Sequence, residues 1–350
     1  MRLFRLCAVL CSLLLLAAAC GDSDDSSEEV AGSTVRLITH DSFALSEETV
    51  TAFEEATGAT LEIQQAGDAV EVVNRAILTA GDPEADVLFG VDNNTLQRAL
   101  DAELFEEYSA AGLDGVRDGL DLDGAATPIT LGDVCINFAV DGLTERGLDP
   151  PTSLADLTDP AYADLLVVQN PATSTPGLAF LLATIDEFGE DGWLDFWQQL
   201  RDNGVEVTNG WSDAYYGVFS GPSSEGDRPL VVSYASSPPV EVAFAEEEPE
   251  IAPTGVMLES CYRQIEFAGV LSGAENPAGA QALIDFMLTE TYQSDLPLQQ
   301  FVFPAVADTP LPEVFERFAE VADDPAQLSP ADVEANREAW VDAWTDVMLR

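Results

Sequence analysis

Apolar positions in this chain fall into short runs separated by helical repeats. Runs at 35–39, 60–63 and 86–91 predict three strands, the first of them short and buried. Between the first two, Ser46 is placed to cap a helix with Val50 and Phe53 on its inner face and Gly58 as its stop. Between the second and third, Val70, Val73 and Ile77 recur at spacings of three and four, which predicts a helix over 69–79. The third strand runs into the turn Asp92-Asn93-Asn94 and a helix through Leu96 and Leu100. The opening third therefore reads βαβαβα, the pattern of an α/β lobe built on a mainly parallel sheet.

Two further strand-like runs, at 132–139 and 261–270, bracket a middle segment with α/β content of its own. In that segment a strand at 165–169 leads to Thr173-Ser174-Thr175-Pro176-Gly177, which starts a helix through Phe180 and Leu181. Trp193, Phe196, Trp197 and Leu200 lie on one helical face and read as core. A strand at 230–234 ends in Ala235-Ser236-Ser237-Pro238. After Cys261 the chain returns to the first lobe. It adds an amphipathic helix (Ala280, Leu283, Ile284, Met287, Leu288), a loop or short strand at 301–304, and a last helix capped by Ser329 that docks through Val333, Trp340, Trp344 and Val347. The expected organisation is residues 35–137 plus 262–350 as lobe 1, 138–261 as lobe 2, and two hinge strands between them.

The start of the chain has another character. Arg2 and Arg5 precede an uncharged apolar run that is short for a membrane span and ends in Leu16-Ala17-Ala18-Ala19-Cys20. This looks like a bacterial lipoprotein box, with Ala17 where leucine is usual. It makes 1–19 a signal peptide and Cys20 the lipidated residue; a plain secretory peptide cut nearby is the competing reading. Residues 20–34 are polar and acidic and read as a flexible tether. The expected location is the outer face of the cell membrane. In that oxidising compartment the remaining pair, Cys135 and Cys261, reads as a disulfide.

Sixty-four acidic and 13 basic residues give a formal net charge of −51, and lysine is absent. Nucleic acid and anionic membrane surfaces are thereby poor partners. A salt-tolerant or acidic-proteome host explains so large a bias more simply than a cationic ligand does. One histidine (His40) and no zinc-type spacing argue against a His-based metal site.

In parallel α/β sheets ligands sit beyond the carboxyl ends of strands. In lobe 1 that selects the loops His40-Asp41-Ser42, Gly67-Asp68-Ala69 and Asp92-Asn93-Asn94. In the middle segment it selects the Thr173–Gly177 and Gly210-Trp211-Ser212-Asp213-Ala214-Tyr215 runs, and the end of the strand at Tyr234. Hydroxyls, free backbone N–H groups at helix starts and an indole suit a small organic ligand with a polar or anionic tail.

These motifs occur in the order found in a known family. The chain resembles the thiamine-binding, substrate-binding proteins of bacterial ABC importers, which have the two-lobed type II periplasmic-binding-protein fold with mixed sheets. The resemblance rests on Thr39-His40-Asp41-Ser42-Phe43, Asn74-Arg75, Ala85-Asp86-Val87, Val91-Asp92-Asn93-Asn94, Thr173-Ser174-Thr175-Pro176-Gly177-Leu178, the Gly210–Tyr215 run, Ser233-Tyr234-Ala235-Ser236-Ser237-Pro238 and Arg337-Glu338-Ala339-Trp340. It implies a monomeric, non-enzymatic protein without a cofactor that captures thiamine or a phosphate ester of it and delivers it to a membrane permease. It also implies that Asp68, Ala69, Ser174, Thr175, Trp211, Tyr234, Ala235, Ser236 and Ser237 line the cleft. The family can carry tyrosine at the positions of His40 and Val240 and tryptophan at that of Phe301, so a thinner aromatic box is expected here.

Each residue has a plainer reading as well. Asp68 reads as partner of the cation or the pyrimidine amine, or as an N-cap. Ser174 and Thr175 read as donors to the ligand tail, or as caps alone. Trp211 reads as a ring that stacks or donates its N–H, or as packing. Tyr234 and Phe301 read as cleft walls or core. His40 reads as a planar cleft residue; its protonation would repel a cation and weaken binding at low pH.

Two alternatives stand beside a thiamine binder. One is another organic cation, such as a polyamine. The other is a thiaminase-like transferase with Cys135 as nucleophile and Glu266 as base; a hinge salt bridge or hydrogen bond is the plainer role for Glu266.

Overall fold

The computed structural model describes residues 30–120, 125–245, 247 and 249–350. The expected signal peptide and Cys20 lie outside the described residues. Strands β1 (Thr34–Thr39), β2 (Thr60–Gln65), β3 (Val87–Asp92), β4 (Thr127–Ala139), β5 (Leu166–Gln169), β6 (Glu206–Thr208), β7 (Leu230–Tyr234), β8 (Thr254–Val270) and β9 (Phe303–Pro304) are joined by helices α1 (Glu47–Thr57), α2 (Ala69–Leu78), α3 (Leu96–Asp101), α4 (Val140–Thr144), α5 (Thr175–Asp202), α6 (Pro238–Ala243), α7 (Pro277–Met287), α8 (Glu290–Gln299), α9 (Glu313–Phe318) and α10 (Pro330–Met348). The α1 caps fall as the sequence requires: Ser46 accepts from the Thr49 N–H, and Gly58 closes the helix in the left-handed region.

The sheet order is β2-β1-β3-β8-β4-β7-β5-β6, with β9 on β4. It is nearly a mirror image about its centre. One end is the parallel trio β2-β1-β3, the other the parallel trio β6-β5-β7, and the antiparallel pair β8–β4 links them. The two long strands serve both halves. The end of β8 pairs with β3, whereas the end of β4 pairs with β7. These are the expected hinge strands, each extended at its N-terminal end beyond the run the apolar pattern marked.

The ladder between them slips at Val134/Ile136, where the partner jumps from Tyr262 to Met257. Ser260 fills the gap: its hydroxyl accepts from the Ile136 N–H at 2.8 Å and donates to the Met257 carbonyl at 2.6 Å. Cys135 and Cys261 are joined by a disulfide at this bulge, as their pairing in the sequence anticipated.

Three differences from the sequence reading have physical causes. Val30, placed in the tether, is buried in the first half's core, so ordered packing starts ahead of β1. The helix after Thr173 continues to Asp202 but breaks at Gly189, whose φ of 66° and ψ of 175° are open to glycine and strained for other residues. The last helix, assigned with lobe 1, packs its tryptophans on the second half. The Trp344 ring stands 5.5 Å from that of Trp197 at 83°, and Val333 and Trp340 join the same core. Among the described residues no helix is long and apolar enough to cross a membrane.

Candidate functional site

The carboxyl ends of the two parallel trios face each other across one cleft, with a cavity of about 240 Å³. His40, Asp41 and Ser42 enter from the end of β1, and Asp68 and Ala69 from the β2–α2 loop. The second half supplies Thr175 and Pro176 at the start of α5, Trp211, Ser212 and Tyr216 after β6, and Tyr234 at the end of β7. Glu266 on β8 and the turn Gln299–Val302 after α8 complete the wall.

Asp68 joins the halves. Its Oδ1 accepts from the Ala69 N–H at 2.7 Å and from the Thr175 N–H at 3.2 Å, and its Oδ2 accepts from the Trp211 N–H at 3.1 Å. The capping role is thus realised and the residue lines the cleft, but its carboxylate is taken up by backbone N–H groups, two of them from the opposite half. Burial pushes its pKa up to about 6, opposed by the Trp211 N–H, the Ser174 hydroxyl and the Ala69 N–H, which favour the anion.

His40 lies against Phe89 and Phe43, with ring centroids at 5.7 and 6.1 Å. Close approach over Gly90 makes room for it: a Cβ there would stand 3.0 Å from the imidazole Cδ2. Its Nδ1 shares a 2.9 Å hydrogen bond with Ser42, and its Nε2 stands 3.7 Å from Glu266 Oε1. Burial lowers the imidazole pKa to about 4. The acid weakening expected from His40 between pH 5 and 8 therefore has no source in this ring. The groups poised to titrate near neutrality are Asp68 and Glu266, the latter raised by burial to about 7.

The other expected cleft residues divide. Ala69, Thr175, Trp211, Tyr234 and Phe301 line the cavity. Trp211 stacks on Tyr215 at 4.9 Å and donates its indole N–H to Ser233 at 3.0 Å, so that N–H is already used. Phe301 holds a left-handed φ of 56°, which costs on the order of 1 kcal/mol in a residue with a bulky side chain. Its ring meets Phe244 edge-on at 6.1 Å.

Ser174, Ala235, Ser236 and Ser237 are buried behind the lining. The Ser236 hydroxyl donates to the Phe301 carbonyl at 2.6 Å, and Ser237 bonds Ser233 and the Tyr234 N–H. These hydroxyls hold the wall. Val240 is likewise buried in α6, away from the lining.

The Asp92-Asn93-Asn94 loop, a ligand candidate by position, is spent on the hinge. Gln264 donates to Asp92, the Ile265 N–H donates to Asn93, and the Tyr262 hydroxyl donates to Asn94. Sequence reasoning missed Gln299, Gln300 and Tyr216 as lining, and gave Glu266 no binding role. Gln299 and Gln300 follow a helix, α8, whose apolar pattern is too weak to predict it and which contains Pro297.

Among the described residues no group of three or more potential metal ligands is found. Cys135 is bonded to Cys261, fully buried and outside the cavity lining, so a nucleophilic thiol has no free sulfur to use.

The raised carboxyls set a pH dependence. A folded state that holds protons at Asp68 and Glu266 above the ordinary carboxyl range binds more protons than the unfolded chain between about pH 4 and 7. Stability from this source is present at low pH and is lost as pH rises through 6 to 7. His40 acts in the opposite sense, because its lowered pKa leaves the folded state with fewer protons than the unfolded chain between about pH 4 and 6.5. The carboxyls outweigh it, and the unfolding midpoint of the ligand-free protein is expected to fall by about 2 °C from pH 5.5 to pH 8. Scanning calorimetry at fixed salt checks this, and a midpoint that climbs over that interval would contradict the assignment.

A two-half α/β body, hinged on paired long strands around one cleft, defines a ligand-capturing protein. The chain belongs to the bacterial extracellular solute-binding proteins, whose family pattern matches residues 82–320. It is 32% identical over 300 residues to the thiamine-binding periplasmic protein of Escherichia coli K12, covering 85% of this chain and 87% of that one. The thiamine-binding periplasmic protein of Salmonella typhimurium is 30% identical over 97% of this chain and 98% of its own. A solved periplasmic thiamin binding protein superposes with a TM-score of 0.80 at 29% identity, covering 91% and 96% of the two chains.

Proposed function

We propose that this protein captures thiamine, or a phosphate ester of it, outside the cytoplasm and delivers it to the permease of an ABC importer. In this reading it is a monomer tethered by lipid at Cys20, requires no cofactor and does no chemistry on its cargo. Residues 35–137 with the chain from 262 up to the last helix form one jaw, and 138–261 with α10 packed on its core the other; hinge motion at β4 and β8 opens and closes them.

The observation that carries this is the lining itself. Trp211, Tyr216, Tyr234 and Phe301 bring aromatic faces to a cleft that also holds the carboxylates Asp68 and Glu266. Aromatic faces and negative charge are what a heteroaromatic cation requires. The names of the relatives above support the same ligand, and their coverage of nearly the whole chain supports the same mode of action. Carboxylates among aromatics, with Asp41 also on the lining, suit a polyamine as well, so spermidine belongs in the test as competitor.

Calorimetry on the mature chain with thiamine, its monophosphate, its diphosphate and spermidine tests the reading. Thiamine or one of its esters is expected to bind, and spermidine to leave it in place. Trp211→Ala is expected to weaken binding about tenfold, because loss of an aromatic contact costs on the order of 1 kcal/mol or above. An unchanged isotherm for that variant would place the ligand elsewhere.

A further inference from the structure

The geometry points to Glu266, acting with His40, as the edge that selects an aminopyrimidine, by accepting a hydrogen bond from the exocyclic amine while the imidazole meets the neighbouring ring nitrogen. This rests on the thiamine reading and gives it a specific contact.

Of the two buried carboxylates on the cleft, Asp68 has both oxygens engaged by backbone N–H groups. Glu266 has one oxygen engaged: Oε2 accepts from the Thr130 hydroxyl at 2.7 Å. Its Oε1 stands 3.7 Å from His40 Nε2, too far for a hydrogen bond. That nitrogen is itself buried without a partner, on a residue 9% exposed that lines the cavity. A buried polar atom without a partner costs roughly 1–3 kcal/mol, and a ligand that supplies the partner removes that cost. When Nδ1 accepts from Ser42, Nε2 carries the proton and donates. The wall then offers an acceptor and a donor side by side. An amine next to a ring nitrogen offers the complement, whereas an oxo group in place of the amine would set acceptor against carboxylate.

The groups around Glu266 tie this contact to pH. His40 faces Oε1, Thr130 holds Oε2, and Asp92, Asp68, Tyr234 and Tyr292 complete the charged and titratable surroundings. Burial, with Asp92 and Asp68 adding to it, holds the Glu266 carboxyl near pH 7, so the anion that accepts from an amine is lost on acidification. His40 stays neutral over the same interval.

The test compares thiamine with oxythiamine, the analogue bearing oxygen in place of the amine, on wild type, Glu266→Gln and Glu266→Asp, by calorimetry from pH 5.5 to 8. Wild type is expected to prefer thiamine at least tenfold, with affinity falling below pH 7. Glu266→Gln is expected to lose most of that preference, through weaker thiamine binding with oxythiamine binding unchanged or tighter, and to flatten the pH profile above about pH 6, where Asp68 does not yet take up its proton; Glu266→Asp is expected to keep the preference in part. Unfolding midpoints near that of wild type confirm that each variant is folded. Equal weakening of both ligands, or an undiminished preference in Glu266→Gln, overturns the inference and leaves the thiamine reading standing. A wild type that binds neither compound overturns both.

Discussion

Asp68→Ala is expected to weaken ligand binding about 100-fold, the largest effect of any single change in the cleft. The carboxylate accepts N–H groups from both sides of the gap: Ala69 on its own half, Thr175 and Trp211 on the other. Alanine leaves these donors facing a space closed to water, and each buried donor without an acceptor costs roughly 1–3 kcal/mol. Two of the three are unsatisfied only when the halves meet, so the loss falls on the binding-competent state. A smaller competent fraction lowers apparent affinity in proportion. Asp68→Asn is expected to fall between, since an amide oxygen still accepts while its NH₂ opposes a backbone donor. Calorimetry reads the affinity, and solution scattering with saturating ligand reads the compaction. An alanine variant that compacts and binds like wild type would show that the bridge is incidental.

The second large effect is on stability and lies away from the cleft. Trp344→Ala is expected to cost about 3–5 kcal/mol, the range for removing a fully buried tryptophan. The side chain is 0% exposed and meets the Trp197 ring edge-on. Its indole N–H has no hydrogen-bond partner, so the loss is packing alone. Because α10 joins the core of the second half, the variant should loosen that half first and lower the urea midpoint, with near-wild-type ligand affinity in the cold. A loss below about 1 kcal/mol would mean that the helix is only loosely seated, contrary to its packing here.

Much of the fold was legible because its signals are local. Helical spacing at Val70, Val73 and Ile77, the caps at Ser46 and Ser329, and strands ending in polar loops each depend on residues a few positions apart. The rule that ligands gather at strand carboxyl ends then located His40, Asp68, Thr175, Trp211 and Tyr234, all of which line the cavity.

The same rule does not distinguish a loop that faces the cleft from one that braces it. Asp92-Asn93-Asn94 sits at a carboxyl end as Asp68 does, but β8 passes beside it and takes its side chains. Ser236 and Ser237 carry the right chemistry, yet their hydroxyls are bonded to the Phe301 carbonyl and to Ser233, behind the cavity lining. The partner of the last helix was hidden for a similar reason: an amphipathic helix shows that it has a buried face, not which core will cover it.

By itself, then, the sequence determined most of the elements, the α/β class, the paired cysteines and most of the loops around the cleft, because periodicity, capping and residue chemistry are written in neighbouring positions. Only the tertiary structure decided which polar groups are committed and which are open. Asp68 became a bridge, Glu266 kept one oxygen without a hydrogen bond, and His40 lost its response to physiological acid. Each outcome depends on burial and on donors brought from far along the chain, and neither quantity exists until the two halves fold against each other.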